Sequence, residues 1–113
     1  MGTLQKNMNK LDEYLTLPHN WNDNGALPFS KDFIFVVRGL IIELAVQPQI
    51  FPTPDSIQLE YDKDNDGYLE FELYIDRIEM FEKCCYESNK NIRKMTLPLD
   101  ATLINNIVED FYK

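Results

Sequence analysis

Residues 62–73, DKDNDGYLEFEL, decide the fold. By ligand type they resemble the loop of a calcium-binding EF-hand, and by polarity they read as the turn and second arm of a β-hairpin. An EF-hand loop supplies ligands at positions 1, 3, 5, 7, 9 and 12, with glycine at 6. Asp62, Asp64, Asp66 and Gly67 fit this pattern, and Leu69 suits the apolar eighth position. Position 12 is Leu73, which cannot close a site. Glu72 falls one residue short and on a strand points to the opposite face from its neighbour.

The flanks favour the hairpin. Pro52 and Pro54 leave seven residues before Asp62, too few for an entering helix. Ile57, Leu59 and Tyr61 alternate with Gln58 and Glu60; beyond the turn, Leu69, Phe71, Leu73 and Ile75 alternate with Tyr68, Glu70, Glu72 and Tyr74. Inward residues on both arms carry odd numbers, and opposed residues share a face, so the connecting loop has an odd number of residues. A three-residue loop, Asn65-Asp66-Gly67, with Gly67 left-handed at a bulge, sets Tyr61 opposite Phe71; a five-residue loop also satisfies the parity.

Working outward, Leu4, Met8, Leu11 and Leu15 recur at helical spacing and predict a helix over 3–16, ending before Pro18. Residues 17–30, LPHNWNDNGALPFS, read as a loop around Trp21 as a buried anchor, with a turn at Asn24-Gly25. Ser30 stands at an N-cap and Asp32 in the first turn of a second helix, which runs to about Val46 before Pro48. PQIFPTPD, 48–55, is a run of breakers. A third strand, 78–85, follows a tight turn at Asp76-Arg77, its inward face undetermined. IRKMTLPL, 92–99, is a candidate fourth strand at an edge, where Pro98 costs little. Asp100 caps a last helix that buries Leu103, Ile104, Ile107, Val108 and Phe111. The expectation is one α+β domain over 1–113: two N-terminal helices, an antiparallel sheet of three to four strands and a C-terminal helix.

Composition narrows function. The 113 residues are 44% hydrophobic, with a formal charge of −8. The N-terminal MGTLQKNMNKLDEY lacks the pattern of a signal peptide. Myristoylation would need Ser or Thr where Lys6 stands. The longest apolar stretch, FIFVVRGLIIELAV, is broken by Arg38 and Glu43 and is too short for a bilayer. A cytoplasmic protein without a membrane partner is expected. Cys84 and Cys85 are adjacent, poorly placed for a disulfide, and with His19 alone fall short of a structural zinc set; they read as reduced thiols on a strand, one facing in. Gly-rich phosphate loops and serine-nucleophile motifs are missing from the sequence, and His19 reads as a loop residue. No cofactor or metal is expected.

Residues 55–79 hold nine acids against Lys63 and Arg77, a net of −7, so nearly all the charge lies on the hairpin and its flanks. One reading is a solvated face. A sharper one notes that Tyr68 and Tyr74 bracket Glu70 and Glu72 on one face, an acidic surface with aromatic anchors suited to a basic protein partner. Nucleic acid is disfavoured by sign. The rival class is a hydrolase using Glu70 and Glu72, about 6.5–7 Å apart along a strand and near the separation in inverting glycosidases. Trp21, Asn22, Asp23 and Gly25 form a second candidate binding loop, because recognition residues often sit on rigidly anchored loops.

At LPHNWNDNGALPFS and IFPTPDSIQLEY the chain resembles a group of small, mostly bacterial proteins of uncharacterised function, with a pattern like LPxxWdGxGAxxPs and, some thirty residues on, PTPDGxIxLEW. Leu17, Pro18, Trp21, Asp23, Gly25, Ala26, Pro28 and Ser30 match the first part. Pro52, Thr53, Pro54, Asp55, Ile57, Leu59, Glu60 and Tyr61 match the second, with tyrosine for tryptophan; Asn24 and Ser56 depart from the commoner residues. The resemblance covers about 11–75 and implies helices preceding a hairpin, with no activity attached. It also implies an accessory protein of mobile or defence-type gene neighbourhoods. The combined expectation is an acidic interaction module, antitoxin-like, immunity or adaptor in kind, with a homodimer through an edge strand compatible. A small hydrolase is the alternative, and calcium binding comes third.

Overall fold

A computed structural model describes residues 2–64, 67–84 and 92–113. Three helices and five strands follow one another as α1 (Leu4–Tyr14), α2 (Lys31–Ile42), β1 (Gln49–Pro52), β2 (Ile57–Asp62), β3 (Gly67–Leu73), β4 (Ile78–Cys84), β5 (Ile92–Leu97) and α3 (Ala101–Phe111). The fold is α+β, and its sheet is wholly antiparallel, in the spatial order β1-β2-β3-β4-β5.

The helix starts follow from side-chain caps. Ser30 Oγ accepts from Phe33 N at 3.1 Å, and Asp100 accepts from Thr102 N at 2.8 Å. The ends differ from expectation. Helix α2 stops at Ile42 rather than near Val46: Glu43 N and Leu44 N close a last tight turn on the carbonyls of Leu40 and Ile41, and Gln47 Nε2 adds donations to the carbonyls of Ile41 and Leu44 at 2.8 and 3.2 Å. Asn105 of α3 ties down the same end, accepting from Ala45 N and donating to Glu43 O. Helix α1 buries Asn7, Leu11 and Tyr14, while Leu4 and Leu15, expected inside, sit at its ends 40% and 37% exposed.

The sheet has five strands, not three or four. The candidate fourth strand is β5, and the strand missed was β1, inside the run taken for breakers. Proline is tolerated there because β1 is a four-residue edge strand, and Pro54 occupies the β1–β2 turn, where Thr53 N donates to Ser56 O at 2.9 Å. Both Tyr14 Oη and Lys10 Nζ reach the Ile50 carbonyl, at 3.4 and 3.5 Å, so α1 occupies part of this edge.

In the central hairpin the parity holds but the register does not. Tyr61 opposes Leu69, not Phe71, and Leu59 takes Phe71. Lys63 N donates to Gly67 O at 3.1 Å, so the loop begins one residue earlier than expected, with Asp64 left-handed at φ 49°. Asn65 and Asp66, the other expected loop residues, lie outside the described residues. Gly67 belongs to β3 rather than to the loop. Its lack of a side chain is explained by proximity: a Cβ there would lie 3.1 Å from a ring carbon of Phe111 and 3.3 Å from the Lys83 carbonyl.

Between β3 and β4, Tyr74 N donates to Arg77 O at 2.9 Å, which places the turn at Ile75-Asp76 rather than Asp76-Arg77 and leaves Ile75 58% exposed instead of inward. A two-residue turn pairs odd positions of β3 with even ones of β4, so Ile78 and Met80 face inward. The expectations for the side chains of Cys84 and Cys85 fall outside the described residues.

The core lies between the helices and one face of the sheet. Ile57, Leu59, Leu69, Phe71, Leu73 and Ile78 are fully buried there against Leu11, Ile34, Val37, Ile41 and Ile104. Within α3, Ile104, Val108 and Phe111 are buried, while Leu103 and Ile107 are only half-buried. The alternate residues of the strands occupy the other face of the sheet, where the helix layer does not reach.

Candidate functional site

That second face gathers the sequence-predicted surface residues. Tyr68, Glu70 and Glu72 project from β3, the middle strand, Tyr74 follows directly after it, and all four are half-buried. The pairing adds neighbours in rows: Glu60, Glu70, Phe81 and Lys94 lie abreast across β2 to β5, and Gln58, Glu72, Glu79 and Thr96 form the next row. Two pairs of glutamates, Glu60 with Glu70 and Glu72 with Glu79, are thus opposed on adjacent strands, an arrangement that costs stability through like-charge repulsion.

The carboxylates are not held alike. Glu72 accepts from Tyr74 Oη at 2.5 Å and from the buried Ser56 Oγ at 3.3 Å. Glu79 is bound by Arg77 Nε at 2.9 Å and by Thr96 Oγ1 at 2.8 Å, and these donors hold its carboxyl below the usual carboxylate range, Thr96 most of all. Arg77 also meets Asp76 at 2.8 Å and lies over the Tyr74 ring, 4.1 Å from its centroid; the two acids raise its guanidinium above the ordinary value. Glu60 and Glu70 share one donor: Tyr68 Oη lies 3.0 Å from Glu60 Oε1 and 2.6 Å from Glu70 Oε1. Among the described residues no cation pairs with either.

The tyrosines respond to this setting. Desolvation, and then the bonds to Glu70 and Glu60, raise the Tyr68 hydroxyl far above the ordinary tyrosine value. The Tyr74 hydroxyl is pushed up to about 12, chiefly by its bond to Glu72. Both are neutral donors at ordinary pH. Aromatic surface completes the patch: Tyr68 and Phe81 rings stand 6.3 Å apart, and Lys94 Nζ lies 5.9 Å from the Phe81 centroid.

Glu70 and Glu72 line a shallow open depression of about 200 Å³ beside Tyr74, Glu79, Phe81 and Lys94, on a surface rather than in a cleft. Glu60, Ser56, Arg77, Phe81, Lys94 and Thr96 were missed at the sequence level; Phe81 and Lys94 become visible only once the two-residue β3–β4 turn fixes the register of the last two strands.

The tryptophan loop lies elsewhere, on the helix side. Trp21 is half-buried rather than a buried anchor: its Nε1 donates to Leu27 O at 3.1 Å, and its ring stands 5.8 Å from Phe29, which in turn contacts Tyr14 and Phe33. Asn22 Oδ1 accepts from Asn24 N and Ala26 N, and Asn20 Oδ1 from Gly25 N, so the loop is braced from within. Asn20, Asp23 and Gly25 adopt positive φ of 65°, 61° and 83°. Asp23 and Gly25 are exposed. The two candidate surfaces therefore do not form one site.

The residues of the calcium-like stretch end β2 and form β3, with Leu73 fully buried, so strands stand where an EF-hand has helices. Among the described residues no helix is long and apolar enough to cross a membrane.

The class so defined is an α+β protein with an antiparallel meander, helices on one face and an acidic, aromatic surface on the other. Compared with protein-family models, with curated proteins and with solved structures, the chain matches none.

Proposed function

We propose that the chain is a cytoplasmic protein-interaction module, antitoxin-like, immunity or adaptor in kind, that holds a basic protein partner on the uncovered face of its sheet through Tyr68, Glu70, Glu72 and Tyr74. The observation that carries this reading is the paired opposition of Glu60 with Glu70 and Glu72 with Glu79 on a face that also presents Tyr68, Tyr74 and Phe81. Opposed acids cost stability in the isolated chain, and a cationic partner relieves that cost on binding. The sign of the face and the chain's −8 charge disfavour nucleic acid, anionic lipid and a second copy stacked face to face.

The test is affinity capture from the native host with three baits: the wild-type chain, Glu70→Lys/Glu72→Lys, and Trp21→Ala. One stoichiometric basic protein held by wild type and Trp21→Ala but lost by the lysine variant supports the reading. A partner lost with Trp21→Ala and kept by the lysine variant transfers the site to the loop and refutes it.

A further inference from the structure

Resting on that reading, we infer that Glu60 and Glu70, with the rings of Tyr68 and Phe81 beside them, are the seat for an arginine side chain of the partner. Four carboxylates occupy the centre of the face, and two are already committed. Glu79 has its cation in Arg77, and Glu72 has two hydroxyl donors. Glu60 and Glu70 stand directly opposed and, among the described residues, lean on a single tyrosine hydroxyl, which carries one proton and can donate it to one oxygen at a time. Here the face has acceptor capacity in excess of its own donors.

Arginine fits better than lysine for geometric reasons. Opposed strand positions place their Cβ atoms roughly 4.5–5.5 Å apart, a span that the fork of a guanidinium can bridge with separate N–H groups. An ammonium is a point charge that serves one carboxylate well and the second poorly. The rings favour the same choice, since a planar guanidinium stacks on aromatic faces. The protein already binds one guanidinium by this chemistry a few residues away: Arg77 lies 4.1 Å from the Tyr74 centroid while bonded to Glu79 and Asp76. At Glu60 and Glu70 the carboxylates and the rings are present, and the guanidinium would come from the partner. Lys94, whose Nζ is over Phe81 and which forms no ion pair with Glu70 among the described residues, marks the boundary of the seat.

Two acetylated and amidated heptapeptides, GRGRGRG and GKGKGKG, serve as probes of equal charge, titrated into the full chain by calorimetry at low salt and again near 0.15 M, where screening acts over about 8 Å. The arginine peptide is expected to bind at least about ten-fold more tightly than the lysine peptide, a ratio that falls to near unity in Glu60→Gln/Glu70→Gln. The equal-charge control Glu13→Gln/Glu109→Gln, at exposed positions of α1 and α3, should keep the arginine preference within about three-fold, because neither acid lies on the strands that form the face. Equal binding of both peptides, or equal losses in the two double variants, overturns the seat while leaving an acidic docking face intact. Binding of neither peptide also overturns the seat, and the face is judged independently by the lysine-variant capture.

Discussion

Glu60 and Glu70 face each other directly across the β2–β3 ladder, and one hydroxyl, that of Tyr68, touches both. A fold selected for stability alone would place a lysine or a threonine at one of the two positions. Glu60→Gln removes the repulsion and keeps an acceptor for Tyr68, so it should stabilise the chain by a few tenths to about 1 kcal/mol at low salt. Urea unfolding at low and high ionic strength checks this: the gain should shrink as salt rises, and a loss of stability at low salt contradicts the account.

Tyr68→Phe leaves both carboxylates without their shared donor and is expected to destabilise by about 1 kcal/mol. Most of that loss should vanish in the Glu60→Gln background, where repulsion is already relieved. A double-mutant cycle from equilibrium unfolding measures the coupling, and strict additivity would mean that the hydroxyl serves neither acid.

Alkaline pH should unfold the protein by a tyrosine-linked process. Tyr14 is raised to about 12, mainly by burial, and Tyr74 to about 12, mainly by Glu72. In the unfolded chain tyrosine ionises near 10. A group with a raised folded-state value lends stability that is complete below about pH 10 and is lost as pH climbs through 12. Melting temperatures across that window should fall together with the appearance of tyrosinate absorbance, and Tyr74→Phe should shift part of the fall. A flat profile up to pH 12 would rule this out.

Gly67→Ala is expected to destabilise by about 1–3 kcal/mol through overpacking. The new methyl meets the Phe111 ring and the Lys83 carbonyl, and the carbonyl belongs to a paired strand that cannot yield alone. Chemical denaturation gives the value, and a change near zero would mean that the ring gives way freely.

Calcium at millimolar concentration should leave the melting temperature unchanged. The twelfth position of the loop-like stretch is Leu73, fully buried in the core, and Glu72 is held by Tyr74 and Ser56 on the opposite face. A rise of several degrees would refute the hairpin.

Where alternation or a capping residue stood in the sequence, the fold was legible. Ser30 and Asp100 announced two helices, and seven alternating residues of β3 outweighed a near-complete set of calcium ligands. Register was harder, because parity fixes which face a residue takes but not which partner it meets: loops one residue apart in starting point gave Tyr61 two different neighbours. Strand β1 was hidden because proline means different things at an edge and in a sheet interior, and only the finished sheet tells which applies. The face itself was half visible. Tyr68, Glu70, Glu72 and Tyr74 follow from period two along one strand, whereas Glu60, Phe81 and Lys94 join them by pairing, which no single segment encodes.

The Ile50 carbonyl, met by Tyr14 and Lys10, bears on how copies of this chain can join. With one rim of the sheet partly taken up by its own first helix and ended by Pro52, the rim left for strand addition among the described residues is β5. Rim-to-rim joining consumes that single valence in each copy, so it halts at two chains; open-ended polymerisation through the sheet is blocked at the other end before it can begin.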